Sequence, residues 1–145
     1  MYLNRFQTLC INIFSLFFAH TKLYLRILKK YSMNFKLNQI PERVAKPRQS
    51  GLTMVMDKGL SLEEGKNLIS AGGPYIDIIK LGFGTAFVTP NLREKIEFYQ
   101  SSGIPVYFGG TLFEAFLIRN QFNDYIQLCR DFNINYMEVS DGSIS

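Results

Sequence analysis

Histidine is almost missing from this 145-residue chain, whose one copy is His20. From Met33 onward no imidazole exists, which removes Ser-His and Cys-His nucleophile systems from that stretch. Cysteine is nearly as scarce. Cys10 and Cys129 lie far apart with no metal-like spacing, which excludes a disulfide framework and suits a reducing cytoplasm. Long apolar runs are lacking too: "LCINIFSLFF" (Leu9–Phe18) has about ten residues where a spanning helix needs about twenty. A basic excess is absent where it would matter. Residues 1–32 take five of the sixteen basic side chains and none of the twelve acidic ones, leaving eleven against twelve in the rest. That body has no basic stripe of the kind nucleic acid requires, so no nucleic-acid partner is expected.

What is present reads as one globular body behind an odd leader. An apolar fraction of 47% against 19% charged residues is globular rather than disordered. Residues 1–32 are expected to form a helical extension with three readings: an upstream start with Met33 the true initiator, a membrane-surface amphipathic helix, or a cleaved signal. In the second, Lys22, Arg26, Lys29 and Lys30 would face anionic lipid. Residues 33–145 form the body, beginning with a polar lead-in that carries Pro41 and Pro47.

A strand-then-helix pattern recurs through the body. "LTMVMDKG" (Leu52–Gly59) is a β-prone run, and Ser61 with Glu64 three residues later makes a capping box for a helix over 62–70. Gly72 and Gly73 are expected to end that helix in a left-handed turn. "YIDIIKLGFG" (Tyr75–Gly84) is the second strand, with Thr89-Pro90 as N-cap and first residue of the next helix. Leu92, Ile96 and Tyr99 give that helix an apolar side, leaving Arg93, Glu94, Lys95 and Glu97 solvated. Gly103 closes it. "IPVYFGG" (Ile104–Gly110) is the third strand and Thr111 caps the third helix; a fourth helix over 123–132 leads to a fourth strand, "NYMEVSDG" (Asn135–Gly142).

From Asp57 to Gly82, Gly109 and Asp141 the intervals are 25, 27 and 32 residues. Strands alternating with helices at that interval predict βαβ units and a parallel α/β sheet. Parallel connections gather every strand's C-terminal tip on one rim, where glycine turns and helix starts receive small anions. Polar residues distant in sequence then converge there.

Four stretches carry a resemblance: "GLTMVMDKGLS", "YIDIIKLGFGTA", "IPVYFGGTLFEAF" and "YMEVSDGSI". In this order they resemble successive strand-and-turn motifs of the phosphosulfolactate synthase family, over about residues 48–144. The resemblance implies a TIM (β/α)₈ barrel and Mg²⁺-dependent addition of sulfite to phosphoenolpyruvate. The product would be (2R)-phospho-3-sulfolactate, on the route to coenzyme M. Such a barrel is typically about 250 residues, so 33–145 would be its truncated N-terminal half, in the cytoplasm.

Candidate residues follow from strand phase and from that resemblance. Lys80 is costly inside an apolar strand unless it meets a ligand or an ion partner; phosphate or carboxylate binding and a structural ion pair are its two readings. Asp57, in phase with Thr53 and Val55, is placed in the lumen, holding Lys80, binding metal or capping a turn. Its neighbour Lys58 is a substrate contact. Glu138 is either the Mg²⁺ ligand, since that hard cation selects carboxylate oxygen, or a salt-bridge partner of Lys80. Ser140 shares its face, and Asp141 at the strand end would orient the groups around the substrate together with Asp57. Gly82, Gly109, Gly110 and Thr111 are anion-contacting positions. Glu114 completes a second capping box with Thr111, and Cys129 is a packing residue.

Two other function classes remain open in the sequence. One is a non-enzymatic, stress-related or inactive half-barrel that associates through its free edges, at strands one and four, with a second copy or a separate C-terminal half. The other is a Schiff-base aldolase using Lys80.

Overall fold

The computed structural model describes residues 34–144, and the expected N-terminal helix lies outside them. Residues 34–42 are exposed and contain no helix or strand. A separate compact unit begins at Arg43.

In that unit the chain runs β1 (Met54–Asp57), α1 (Leu62–Gly72), a 3₁₀ turn (Gly73–Tyr75), β2 (Ile78–Leu81), a second 3₁₀ turn (Thr85–Phe87), and α2 (Leu92–Ser101). Then come β3 (Val106–Phe108), α3 (Gly110–Leu117) and α4 (Phe122–Asp131). The strands form a parallel sheet in the order β1-β2-β3. This is an α/β unit with a partial βα repeat, as the spacing predicts.

Side-chain alternation divides the sheet into two faces. Val55 and Asp57, Ile79 and Leu81, and Val106 and Phe108 point into the helix layer. There they meet Ile96 and Tyr99 of α2, Leu112 and Phe113 of α3, and Tyr125 and Cys129 of α4. The opposite face carries Met56, Lys80 and Tyr107, aligned across the three strands by their register. Met54 on that face is exposed.

Local chemistry sets the helix ends. Ser61 and Glu64 form the expected capping box at the start of α1. Gly103, at φ +74°, closes α2 in the left-handed turn that glycine permits. The exit of α1 differs from expectation: Gly72 and Gly73 keep negative φ, and the chain passes into a 3₁₀ turn whose first positions include Pro74. The start of α2 differs as well. Asn91, at φ +54°, is its N-cap, and the Thr89 hydroxyl instead turns back on the preceding 3₁₀ turn, donating to the Thr85 carbonyl at 2.8 Å. Gly109 rather than Thr111 precedes α3, and Thr111 sits exposed in its first turn.

The expected fourth strand is not a strand. Residues 134–141 have no ladder pairing, so among the described residues the open edges belong to β1 and β3. Alternation survives without the ladder: Glu138 and Ser140 are half-buried, whereas Met137 and Val139 are exposed.

A buried phenol offers one packing test. Tyr125 is fully enclosed beside Phe108, Phe113 and Phe116, and its hydroxyl has no well-formed hydrogen bond among the described residues, with only the weak Cys129 thiol beside it. Leaving such a group dry costs about 1–3 kcal/mol. Tyr125→Phe is therefore expected to hold or raise the free energy of urea unfolding, and a loss of more than about 1 kcal/mol would reveal a substantial partner for the hydroxyl.

Candidate functional site

Lys80 reaches the candidate site from β2 and meets Glu138: Nζ to Oε1 is 2.7 Å, with side chains 16% and 30% exposed. The two residues are 58 positions apart, so only the fold brings them together. Tyr107, opposite Lys80 in the register, joins them on the same face. Burial raises the pKa of its phenol, and the neighbouring Glu138 carboxylate adds to the rise, so it stays protonated. Sequence reasoning missed Tyr107. Buried Val106 and Phe108 on either side were the available signal, because alternation then turns Tyr107 toward the Lys80 face.

The glycines at the strand tips serve this pair by making room for it. A Cβ on Gly109 would lie 2.8 Å from Lys80 Cε and 3.0 Å from the Leu81 carbonyl oxygen. On Gly110 it would overlap Ser140 Cβ and lie 3.1 Å from Glu138 Oε1. Gly82 is likewise closed over by the Met56 side chain, and its N–H donates to the Asp57 carbonyl at 2.8 Å. Ser140 donates its hydroxyl to Glu114, whose other oxygen accepts the Ser143 N–H at 3.1 Å. Glu114 is thus no capping residue of α3: it is buried and holds the turn after Ser140. Thr111 and Asp141 are exposed at the edge of the cluster. Lys58 is exposed too, its ammonium 5.5 Å above the Phe83 ring.

Asp57 does not join Lys80. Its register partner is Leu81, one position beyond Lys80 and on the opposite face, so its carboxylate enters the helix layer. The phase along β1 is as expected; the lateral register, which no single strand encodes, decides the face. There Asp57 is 0% exposed, paired with Lys95 Nζ at 2.9 Å, and accepts Tyr99 OH at 3.0 Å. The amides of Gly59 and Leu60 both donate to it at 2.8 Å, and Lys95 also donates to the Leu60 carbonyl at 2.7 Å. Lys95, expected to be solvated, is 1% exposed. Its signal was the buried acid: a charge there needs a partner, and Lys95 stands one helical turn from Tyr99. The cluster fixes the β1–α1 turn that carries Lys58.

A second ionic knot lies at the other end of the strands. Asp77 accepts from Arg48 at 2.7 Å, Arg43 at 3.3 Å and the Thr53 amide at 2.8 Å. Lys46 and Arg48 also donate to the Gly73 and Pro74 carbonyls, seating the lead-in beneath the sheet. A cleft of about 520 Å³ opens beside this knot, between Arg48, Leu52, Asp77 and Tyr136. It is remote from the strand tips where Lys80 and Glu138 meet, and its cations are already engaged.

Asp57 and Asp77 both have pKa values lowered from the ordinary carboxylate value. Burial pushes each carboxyl up; for Asp57 the Lys95 ammonium and two turn amides outweigh it, for Asp77 the Thr53 amide and Arg48 do. A carboxylate depressed in the folded state contributes stability that is complete above its unfolded value and lost as pH falls through the folded one. The urea midpoint is expected to be flat above about pH 5 and to fall below about pH 4. Asp77→Asn should flatten part of that fall; an acid limb unchanged in this variant would contradict the assignment.

Metal chemistry has one candidate anchor. Among the described residues no group of three or more His, Cys, Asp or Glu side chains converges. Mg²⁺ commonly takes one or two carboxylates, with water and substrate phosphate completing its shell. Glu138, partly open to solvent beside Lys80, fits such a single-carboxylate anchor. Cys129 is buried in α4, and burial raises its thiol, in keeping with a packing role.

The parallel sheet and its partial βα repeat, with an ammonium–carboxylate pair and close-packed glycines at the strand tips, define an α/β protein. The chain belongs to the (2R)-phospho-3-sulfolactate synthase (ComA) family, whose sequence pattern matches residues 41–145. It is 36% identical over 106 residues to the phosphosulfolactate synthase of Bacillus subtilis, covering 73% of this chain and 42% of that protein. It is 40% identical over 97 residues to the phosphosulfolactate synthase of Methanocaldococcus jannaschii, covering 66% of this chain and 39% of that protein. The chain thus spans about two-fifths of the length of the curated relatives it matches. Among the described residues no helix is long and apolar enough to cross a membrane.

Proposed function

We propose that this chain supplies the first part of a phosphosulfolactate synthase, in which Lys80 and Glu138 bind a small phosphorylated acid at the rim of a (β/α)₈ barrel. The carrying observation is the Lys80–Glu138 pair at 2.7 Å within a chain of this family. The substrates would be phosphoenolpyruvate and sulfite. Sulfite's sulfur lone pair attacks C3, the C2–C3 π electrons move toward C2 and the carboxylate, and C2 then takes a proton while keeping its phosphate ester. Negative charge grows on the substrate carboxylate, and Lys80, lifted from Glu138, neutralises it. Mg²⁺ held through Glu138 would supply Lewis-acid stabilisation of the same charge. Gly82, Gly109, Gly110 and Thr111 form the floor around the anion, with Ser140 and Lys58 at its margin, while Asp57 supports the turn beneath Lys58. Asp141, exposed at the turn, is the remaining charged neighbour. The scarcity of cysteine suits a cytoplasmic setting.

The open edges of β1 and β3 favour a companion reading, in which the chain acts by association. Its partner would be the remainder of the barrel or a second copy. The direct test is formation of phosphosulfolactate by the chain with phosphoenolpyruvate, sulfite and Mg²⁺, followed by mass and sedimentation. Product formation supports the synthase reading. A stable dimer or oligomer that forms no product supports association alone.

A further inference from the structure

We propose that Glu114 is a positioning residue of the candidate site: its carboxylate seats the Ser140–Ser143 turn on the first turn of α3 and so delivers Glu138 to Lys80. The inference rests on the Lys80–Glu138 site and is independent of the reaction assigned to it.

Residues 135–141 run beside the sheet without backbone hydrogen bonds to it among the described residues, so side chains must hold this segment in place. Two carboxylates do so from opposite directions. Glu138 reaches inward to Lys80, and Glu114 reaches outward from α3 to Ser140 and Ser143. Glu114 is 4% exposed, and a carboxylate so enclosed is stable only when both oxygens are bonded. Both are, and both bonds go to the same turn. The alternative, a capping box with Thr111, is not formed: no side chain caps α3.

Geometry links the turn to Glu138. Alternation puts Ser140 on the same side of the segment as Glu138, two residues earlier. Gly110 lets that side approach α3 so closely that a Cβ would overlap Ser140. With Ser140 fixed against Gly110, Glu138 has little freedom other than toward Lys80. Release of Ser140 would let the unladdered segment move away and leave Lys80 unpaired.

The test compares Glu114→Ala, Glu114→Gln and Glu138→Gln in the full chain, reading the Lys80 side-chain nitrogen resonance and amide exchange over 135–144. Glu114→Ala is expected to move the Lys80 resonance to its position in Glu138→Gln and to speed exchange in this segment at least about tenfold, while β1–β3 stay protected. Glu114→Gln retains an acceptor for Ser140 and should keep the wild-type Lys80 resonance. A merely structural role would loosen the turn and leave Lys80 where it is. If Glu114→Ala does not fold, Ser140→Ala is read the same way, removing the hydroxyl from the other side. An unmoved Lys80 resonance in whichever variant folds, with a moved one in Glu138→Gln, overturns the proposal. Because no substrate enters the experiment, an inactive chain does not affect the outcome.

Discussion

Lys80→Ala is expected to lower the rate of phosphosulfolactate formation by about 10²- to 10³-fold, the usual cost of losing one preorganised group aimed at developing charge. The ammonium stands on the sheet face away from the helices, beside Gly109, with one carboxylate as its partner among the described residues. It can therefore exchange Glu138 for a substrate oxygen without unfolding anything. The loss should fall mainly on kcat, since the charge that Lys80 meets grows as the C–S bond forms. Glu138→Gln separates this role from simple pairing, because it frees Lys80 while keeping the ammonium. If Lys80 acts on substrate, Glu138→Gln retains more activity than Lys80→Ala at Mg²⁺ high enough to offset a weakened Glu138 anchor. Equal losses in the two variants would mean that the pair is structural.

The second large effect concerns stability. Lys95→Met is expected to cost about 3–5 kcal/mol, because it leaves the Asp57 carboxylate enclosed with its main counter-charge gone. Tyr99 and the Gly59 and Leu60 amides still donate to it, yet none carries charge. Adding Asp57→Asn should recover part of the loss, since a neutral amide still accepts the turn N–H groups and no longer needs a cation. Urea unfolding of the two single variants and the double variant measures the coupling. A Lys95→Met protein within about 1 kcal/mol of wild type would show that water or another cation reaches Asp57. The β1–α1 turn should also loosen, carrying Lys58 with it.

Much of this architecture can be read from residue order. The βα alternation, the Ser61–Glu64 box, the Gly103 turn and the family motifs are local signals, and each has its counterpart in the fold. The salt bridge of Lys80 with Glu138 is one of the two readings the sequence offers for each residue, although Glu138 reaches it from an unladdered segment and not from a fourth strand tip. What the sequence hides depends on neighbours. Asp57 and Lys80 each obey their own strand's alternation, but their shared face depends on register between strands. Lys95 looks like surface charge on a helix until a buried acid lies across from it. Glu114 matches a capping box in spacing, and the proximity of Ser140 and Ser143, 26 and 29 residues away, redirects it. The Asn135–Gly142 run has strand-like alternation, but side-chain bonds hold it without a ladder.

The central claim is that Lys80 and the turns after β2 and β3 receive one small phosphorylated acid. Titrating the nitrogen-labelled chain with phosphoenolpyruvate tests this without requiring turnover. The account predicts saturable shifts at the Lys80 ammonium and at the Gly110 and Thr111 amides, all following one binding curve and all absent in Lys80→Ala. Shifts confined to the Arg43–Arg48 clamp, or none at Lys80 at saturation, would contradict it.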